Sequence, residues 1–170
     1  MTYAQLKEKF GFIDEEKNWY QHKNKNGGGW VHSSAHVDET AFIGENAVIF
    51  SGNARVYGDA QVYGNAWVYG DAQVYGNAWV YGDAQVSGDA QVYGNACVSG
   101  NAWEKSPLFI IGSRHSLTNA KHGYIQIGCH CKKIDWWLEN YKDIGEKENY
   151  SKEEISEYGA YIKLFKEVGK

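Results

Sequence analysis

From Val56 to Trp103 the chain repeats every six residues without a gap. Each unit reads Val, Tyr or Ser, Gly, Asp or Asn, Ala and one variable residue, starting at Val56, Val62, Val68, Val74, Val80, Val86, Val92 and Val98. Weaker units begin at Val31, Val37 and Ile43, and a seven-residue unit spans Ile49 to Arg55, so residues 31–103 hold twelve units. A period of six does not match the 3.6 residues of a helical turn, and a glycine in every unit would cost a helix about 1 kcal/mol each. A short strand closed by a turn satisfies the pattern. Trp67-Val68-Tyr69 is a strand of β-branched and aromatic residues, with valine facing inward and its neighbours outward. Gly70-Asp71-Ala72 then turns the corner. Glycine and Asp or Asn supply the unusual dihedrals there, and the small alanine tucks into the bend.

These Val-x-Gly-Asn/Asp-Ala-x units resemble hexapeptide-repeat proteins, whose fold is a left-handed parallel β-helix. The resemblance implies three units per 18-residue coil and about four coils. At ~4.8 Å between stacked strands, such a prism stands roughly 20 Å tall. Residues 18 apart then share a face. One face carries Arg55-Val56-Tyr57, Gln73-Val74-Tyr75 and Gln91-Val92-Tyr93. A second carries Gln61-Val62-Tyr63, Trp79-Val80-Tyr81 and Cys97-Val98-Ser99. The third carries Trp67-Val68-Tyr69, Gln85-Val86-Ser87 and Ala102-Trp103-Glu104. So much outward aromatic surface predicts burial against other subunits or against the chain ends. The family resemblance implies a homotrimer.

The flanks differ in composition, and the expected division is an N-terminal cap over 1–30, the β-helix over 31–106 and a small α+β appendage over 107–170. In the cap, Thr2 to Phe10 reads as a short helix with Leu6 and Phe10 on one side, and Asn24 to Gly29 as a flexible turn. The cap is expected to cover the open end of the β-helix, since bare strand edges invite aggregation. Pro107 ends the array. Leu108 to Gly112 and Tyr124 to Gly128 read as strands, with another plausible around His115 to Thr118 and a turn at Lys121-His122-Gly123. Two helices follow. Ile134, Trp137, Leu138 and Tyr141 share one face, as do Ile155, Tyr158, Ile162 and Phe165, and Ser151 with Glu154 forms a capping box.

Charge narrows the function. Residues 31–103 hold seven acids and one base, Arg55, for a formal −6, while each flank carries +1. Such a chain repels a phosphate backbone, so bulk nucleic-acid binding is excluded. The longest strictly apolar run, Leu108 to Ile111, is far short of the ~20 residues that span a membrane. No basic leader with an apolar core opens the chain, and three cysteines make no disulfide framework, so a reducing cytoplasm is the expected compartment.

The sequence offers residues for four chemistries. Many hexapeptide-repeat proteins are CoA-dependent acyltransferases with a catalytic histidine, but residues 49–103 contain no histidine and only His32 and His36 lie in the first coil. Cys129-His130-Cys131, with His115 and His122, could ligate a metal if the two thiols shared one face of a strand. Cys129 with His115 could form a thiolate pair, although packing explains a free cysteine equally well. Finally, Gly112-Ser113-Arg114-His115 with Thr118 gathers a guanidinium, an imidazole and hydroxyls suited to a phosphate or carboxylate, with Trp136 or Trp137 to stack on a base. The competing account is that Arg114 pairs with a helix carboxylate such as Glu139.

The array followed by Gly112-Ser113-Arg114-His115, Thr118 and Gly128-Cys129 also resembles small repeat proteins of phages and prophages of gut bacteria. Some phage proteins sequester nucleotide signals of bacterial immunity. The expectation is therefore a non-catalytic binding protein for a small anionic metabolite, a nucleotide among the candidates, held by Ser113, Arg114, His115, Thr118 and Trp136. No cofactor and no metal are expected. An acyltransferase and a structural trimerisation module are the alternatives.

Overall fold

The computed structural model describes residues 1–11, 14–24, 27–100 and 102–169. The chain divides into two compact units, residues 1–95 with 99–106, and residues 107–170 with Ala96–Val98.

The first unit is a parallel β-solenoid of about four coils with three sheets. Its register repeats the 18-residue step: Val56 lies beside Val74 and Val74 beside Val92, while Val62 lies beside Val80. The valines and alanines from Ala54 to Val98 are fully buried, so the core is a column of methyl groups. Coils are tied by main-chain bonds such as Arg55 N–H to Ala72 O and Gln73 N–H to Ala90 O, both 2.9 Å. The corners need glycine. Gly64 sits at φ +69°, and a Cβ there would lie 2.8 Å from the Gly82 nitrogen of the next coil. The longer unit is absorbed between Ile49 and Gly52, where the register shifts and Gly52 pairs with Gly70. Trp103 stands beside Val86, a 17-residue step, and its indole takes an inward position at 1% exposure.

Residues 1–30 do not stand apart from the coils. Helix α1 (Tyr3–Phe10) is opened by a Thr2–Gln5 capping box and buries Leu6 and Phe10. A strand at Trp19–His22, which periodicity did not suggest, pairs antiparallel with Gly29–His32 and adds an edge to the sheet carrying Trp67. Phe10 packs on Phe50 and Trp67 with ring centroids 4.9 and 4.7 Å apart. The cap therefore covers a side face as well as adding a strand at one edge. It leaves Trp67 half-buried against a chain end, as expected for one of the outward tryptophans, whereas Trp79 remains 43% exposed. The expected turn over Asn24 to Gly29 falls partly outside the described residues, at Lys25 and Asn26.

The second unit is a four-stranded antiparallel meander, Phe109–Ile111, Ser116–Lys121, Tyr124–Ile127 and His130–Lys133, followed by α2 (Ile134–Lys147) and α3 (Lys152–Val168). The helices bury Leu117, Ile125 and Ile127 against Trp137, Tyr158, Ile162 and Phe165. Two-residue turns with glycine at positive φ, His122-Gly123 and Gly128-Cys129, join the last three strands. The Ser151–Glu154 capping box is present. Among the described residues, no helix is long and apolar enough to cross a membrane.

Candidate functional site

The second unit encloses a cavity of about 270 Å³. One helical face of α2 supplies Trp137, Tyr141, Ile144 and Gly145, and α3 supplies Ile155, Tyr158 and Ile162. The lip comes from His115, the Gly128-Cys129-His130 turn, Glu148 and Tyr150. Two glycines let the helices close around it. A Cβ on Gly145 would meet Ile155 at 2.7 Å, and one on Gly159 would meet the Tyr141 ring at 2.6 Å.

A single hydroxyl sets the lip. Tyr158 Oη accepts the N–H groups of Arg114 (3.0 Å) and His115, and donates to the His115 carbonyl at 2.8 Å. Glu157 Oε1 accepts the Ser113 N–H at 2.9 Å, and the Ser113 side chain, with this bond, holds the Glu157 carboxyl below its usual range. The loop that follows the first strand is thus fastened to α3 through its main chain.

Arg114 completes the fastening. Its Nη1 donates to the carbonyls of Glu148 (3.3 Å) and Asn149 (3.0 Å) at the C-terminal end of α2, where the helix dipole favours a cation. The guanidinium also lies 3.8 Å from Glu154 Oε2 and 4.5 Å from the Tyr150 ring centroid. The carboxylate beside Arg114 is therefore Glu154 on α3. Burial pushes the Tyr150 hydroxyl up to about 12, and Tyr158 adds to this while Arg114 opposes it.

Of the five residues expected to bind ligand, only His115 lines the cavity. Ser113 and Arg114 share its loop but face their helix partners. Thr118 is 2% exposed within the sheet. Trp136 is half-buried, 5.4 Å from Trp137, with the Lys132 ammonium 5.3 Å from its ring. Trp137, which helical spacing placed on the core face, lines the cavity and donates its indole N–H to Ile125 O at 3.0 Å.

The cysteines do not share a strand face. Cys129 occupies the turn and Cys131 the following strand, because Ile127 pairs directly with His130. Among the described residues, no three His, Cys, Asp or Glu side chains gather as a metal-ligand set. Burial pushes the Cys131 thiol up, and the Cys97 thiol up to about 11, so both stay protonated at neutral pH.

The cavity can hold a flat, largely apolar molecule. Four aromatic rings and six aliphatic or glycine positions form the walls, while polar groups are confined to His115, His130, Cys129, Glu148 and the tyrosine hydroxyls. At protein packing density, this volume admits on the order of a dozen non-hydrogen atoms, the size of a fused bicyclic ring. The only permanently charged lining residue is Glu148, so a fully buried phosphate would be opposed rather than neutralised.

The comparisons with known proteins concern the other unit. The YdcK β-solenoid repeat matches residues 60–72, 72–88 and 90–105. The array fits a β-solenoid repeat family. No curated protein and no solved structure matches the chain. The β-solenoid match ends before Pro107, so it bears on the coils and leaves the cavity's role to its own geometry.

Proposed function

We propose that the second unit of this chain is a non-catalytic binding module that holds the planar ring of a small metabolite in the cavity between α2, α3 and the Gly128–His130 turn. The carrying observation is the aromatic enclosure itself: Trp137, Tyr141, Tyr150 and Tyr158 around about 270 Å³, with two imidazoles at the lip. Rings of this kind are recognised by stacking and by a few polar contacts at one edge. A heteroaromatic base places its hydrogen-bonding edge toward His115 and His130. An attached anionic group remains at the rim, within reach of the imidazole N–H groups. Sequestration of a nucleotide signal is the form this reading takes in a phage setting, and it rests on the resemblance of the array and the Gly112-Ser113-Arg114-His115 segment to phage proteins. The solenoid serves as the assembly module. Its half-exposed Trp79 and Tyr93 favour a homo-oligomer, with a trimer implied by the hexapeptide resemblance.

Native mass spectrometry of protein taken from cells tests both parts. A trimer carrying a small adduct of stoichiometric amount supports the reading, and the adduct mass gives the ligand class. Titration with nucleobases, nucleotides and non-nucleotide aromatic acids, read by quenching of Trp137, follows. Ile144→Trp fills the cavity and is expected to abolish quenching while leaving the circular dichroism unchanged. An Ile144→Trp protein that binds as the parent does would overturn the assignment of the site.

A further inference from the structure

The first coil carries a second arrangement of chemical groups, remote in sequence from the cavity residues. Ser34 Oγ lies 2.8 Å from His32 Nδ1, and His32 Nε2 lies 3.1 Å from Asp14 Oδ2. The tautomer follows from the main chain. Ser34 N–H donates to His32 Nδ1 at 3.1 Å, so that nitrogen carries a lone pair and Nε2 carries the proton given to Asp14. The lone pair is thus aimed at the serine hydroxyl. Asp14 is itself fixed by Asn18 Nδ2 and Trp19 Nε1, each at 2.6 Å. Those bonds, with that from His32, hold its carboxyl down to about 2. The imidazole is 9% exposed and lies edge-on to Trp19 at 5.1 Å, while Ser34 is open to solvent. A hydroxyl, a base within hydrogen-bond reach and a carboxylate orienting that base make up an activated nucleophile.

We propose that Ser34, His32 and Asp14 form an esterase-type site that cleaves small carboxylic esters through an acyl-serine. Ser34 Oγ attacks the ester carbonyl carbon as its proton passes to His32 Nδ1. The Oγ–C bond forms and the bond to the leaving alkoxide or phenoxide breaks, and His32 returns the proton to that oxygen. Water, deprotonated by the same nitrogen, then releases the acid and restores the serine. Asp14 touches no reacting atom; it is a positioning residue that fixes the tautomer and stabilises the imidazolium. Gly52 N–H donates to Ser34 Oγ itself at 3.1 Å, so it positions the nucleophile rather than the developing oxyanion. The neighbouring amides of Ser33 and Ala35 already donate to Asn18 O and His32 O, so stabilisation is modest and slow turnover is expected. The site differs from the usual triad in presenting Nδ1 rather than Nε2 to the serine. It also differs from CoA-dependent acyl transfer in needing a covalent serine adduct.

A fluorophosphonate probe on the intact chain, followed by peptide mapping, tests this directly. One phosphonyl group is expected on Ser34 and none on the adjacent exposed Ser33, which serves as an internal control. Hydrolysis of p-nitrophenyl acetate should vanish in Ser34→Ala. It should fall ~10²- to 10⁴-fold in His32→Gln. Asp14→Ala should slow labelling at least about tenfold, with partial rescue by Asp14→Glu. Absence of the Ser34 adduct, equal labelling of Ser33, or full labelling in a His32→Gln protein of unchanged circular dichroism overturns the proposal. Ser34 is exposed, so Ser34→Ala keeps the test readable even where the histidine variant loosens the N-terminal segment.

Discussion

Replacing Tyr158 by phenylalanine removes one oxygen and should undo the lip of the cavity. The ring stays in its cluster with Ile162 and Phe165, so the apolar packing is retained. What is lost is the partner of two backbone N–H groups, Arg114 and His115, and one of two donors to the His115 carbonyl, which keeps the Gly112 N–H at 3.2 Å. An unsatisfied buried polar group costs about 1–3 kcal/mol. These three groups lie near the surface, where water can recover part of the loss, so the net effect is placed at about 2–4 kcal/mol. This corresponds to roughly a 30- to 700-fold shift in the opening equilibrium of the loop. Amide hydrogen exchange of Arg114 and His115 is the assay, because it reads that opening locally and does not assume two-state unfolding of a two-unit chain. Exchange should accelerate by that factor at these two amides. It should change little at solenoid amides such as Arg55 and Gln73. Unchanged protection at Arg114 and His115 would refute the claim that the tyrosine hydroxyl holds the loop.

Four further outcomes follow from the same structure. Asp71 and Asp89 stack one coil apart beneath Asn53, which donates to Asp71 at 2.8 Å, so Asp89→Asn should raise the free energy of urea unfolding by about 0.5 kcal/mol, an effect that high salt erases. Gly64→Ala meets the Gly82 backbone, whereas a Cβ at Gly100 (φ +65°) has nothing within 4 Å, so Gly100→Ala should cost only the left-handed strain of about 1–2 kcal/mol and Gly64→Ala clearly more. The Asp14 carboxyl titrates below its ordinary value, so its contribution is complete above pH 4 and lost as the pH falls through about 2; the Trp19 indole N–H resonance should report that release, and Asp14→Asn should abolish the transition. Arg114→Ala should lower the thermal midpoint of the second unit and weaken ligand together, whereas Ile144→Trp should abolish binding alone; loss of binding in Arg114→Ala without loss of stability would show direct anion contact.

The coils were legible because every unit states the same physics. Valine inward, aromatic outward and glycine at the bend define strand, face and corner, and the 18-residue step places each side chain on its observed sheet. Departures from the repeat were less legible. Trp103 is the exception: the expected third face sets Ala102-Trp103-Glu104 beside Gln85-Val86-Ser87, and the observed register pairs Trp103 with Val86 across that 17-residue step. Trp19–His22 shows no clean alternation, and its partner strand Gly29–His32 straddles the expected boundary between the cap and the array at residues 30 and 31. His130–Lys133 has almost no apolar content and is a strand because the Gly128-Cys129 turn aligns it beside Tyr124–Ile127. In the second unit, helical spacing found Trp137, Tyr141, Ile155, Tyr158 and Ile162, which are cavity walls as well as core. The sequence reads Gly112 as the end of one strand and His115 as the start of another, whereas the structure makes Gly112–His115 the loop between Phe109–Ile111 and Ser116–Lys121. The loop's partners Glu148, Asn149 and Glu154 lie 34 to 40 residues away, beyond any local pattern.

Repetition itself explains where the candidate chemistry sits. Identical units at a fixed rise bring like side chains into parallel rows. Tyr57, Tyr75 and Tyr93 illustrate this: their rings stack at 4.9 and 5.4 Å and touch one another rather than enclosing a space. A site needs unlike groups that converge on one point. Within a perfect array the inward positions are already filled by valine and alanine, and outward positions diverge from the axis. Convergence therefore requires the pattern to decay. The first coil does so at His32 and Ser34, where polar residues replace the Tyr-Gly-Asp sequence and Asp14 can reach them across the added strand. The second unit does so completely, with walls drawn from two helices, a turn and a loop. The regular hexads supply height and stiffness, and both proposed sites lie where the regularity fails.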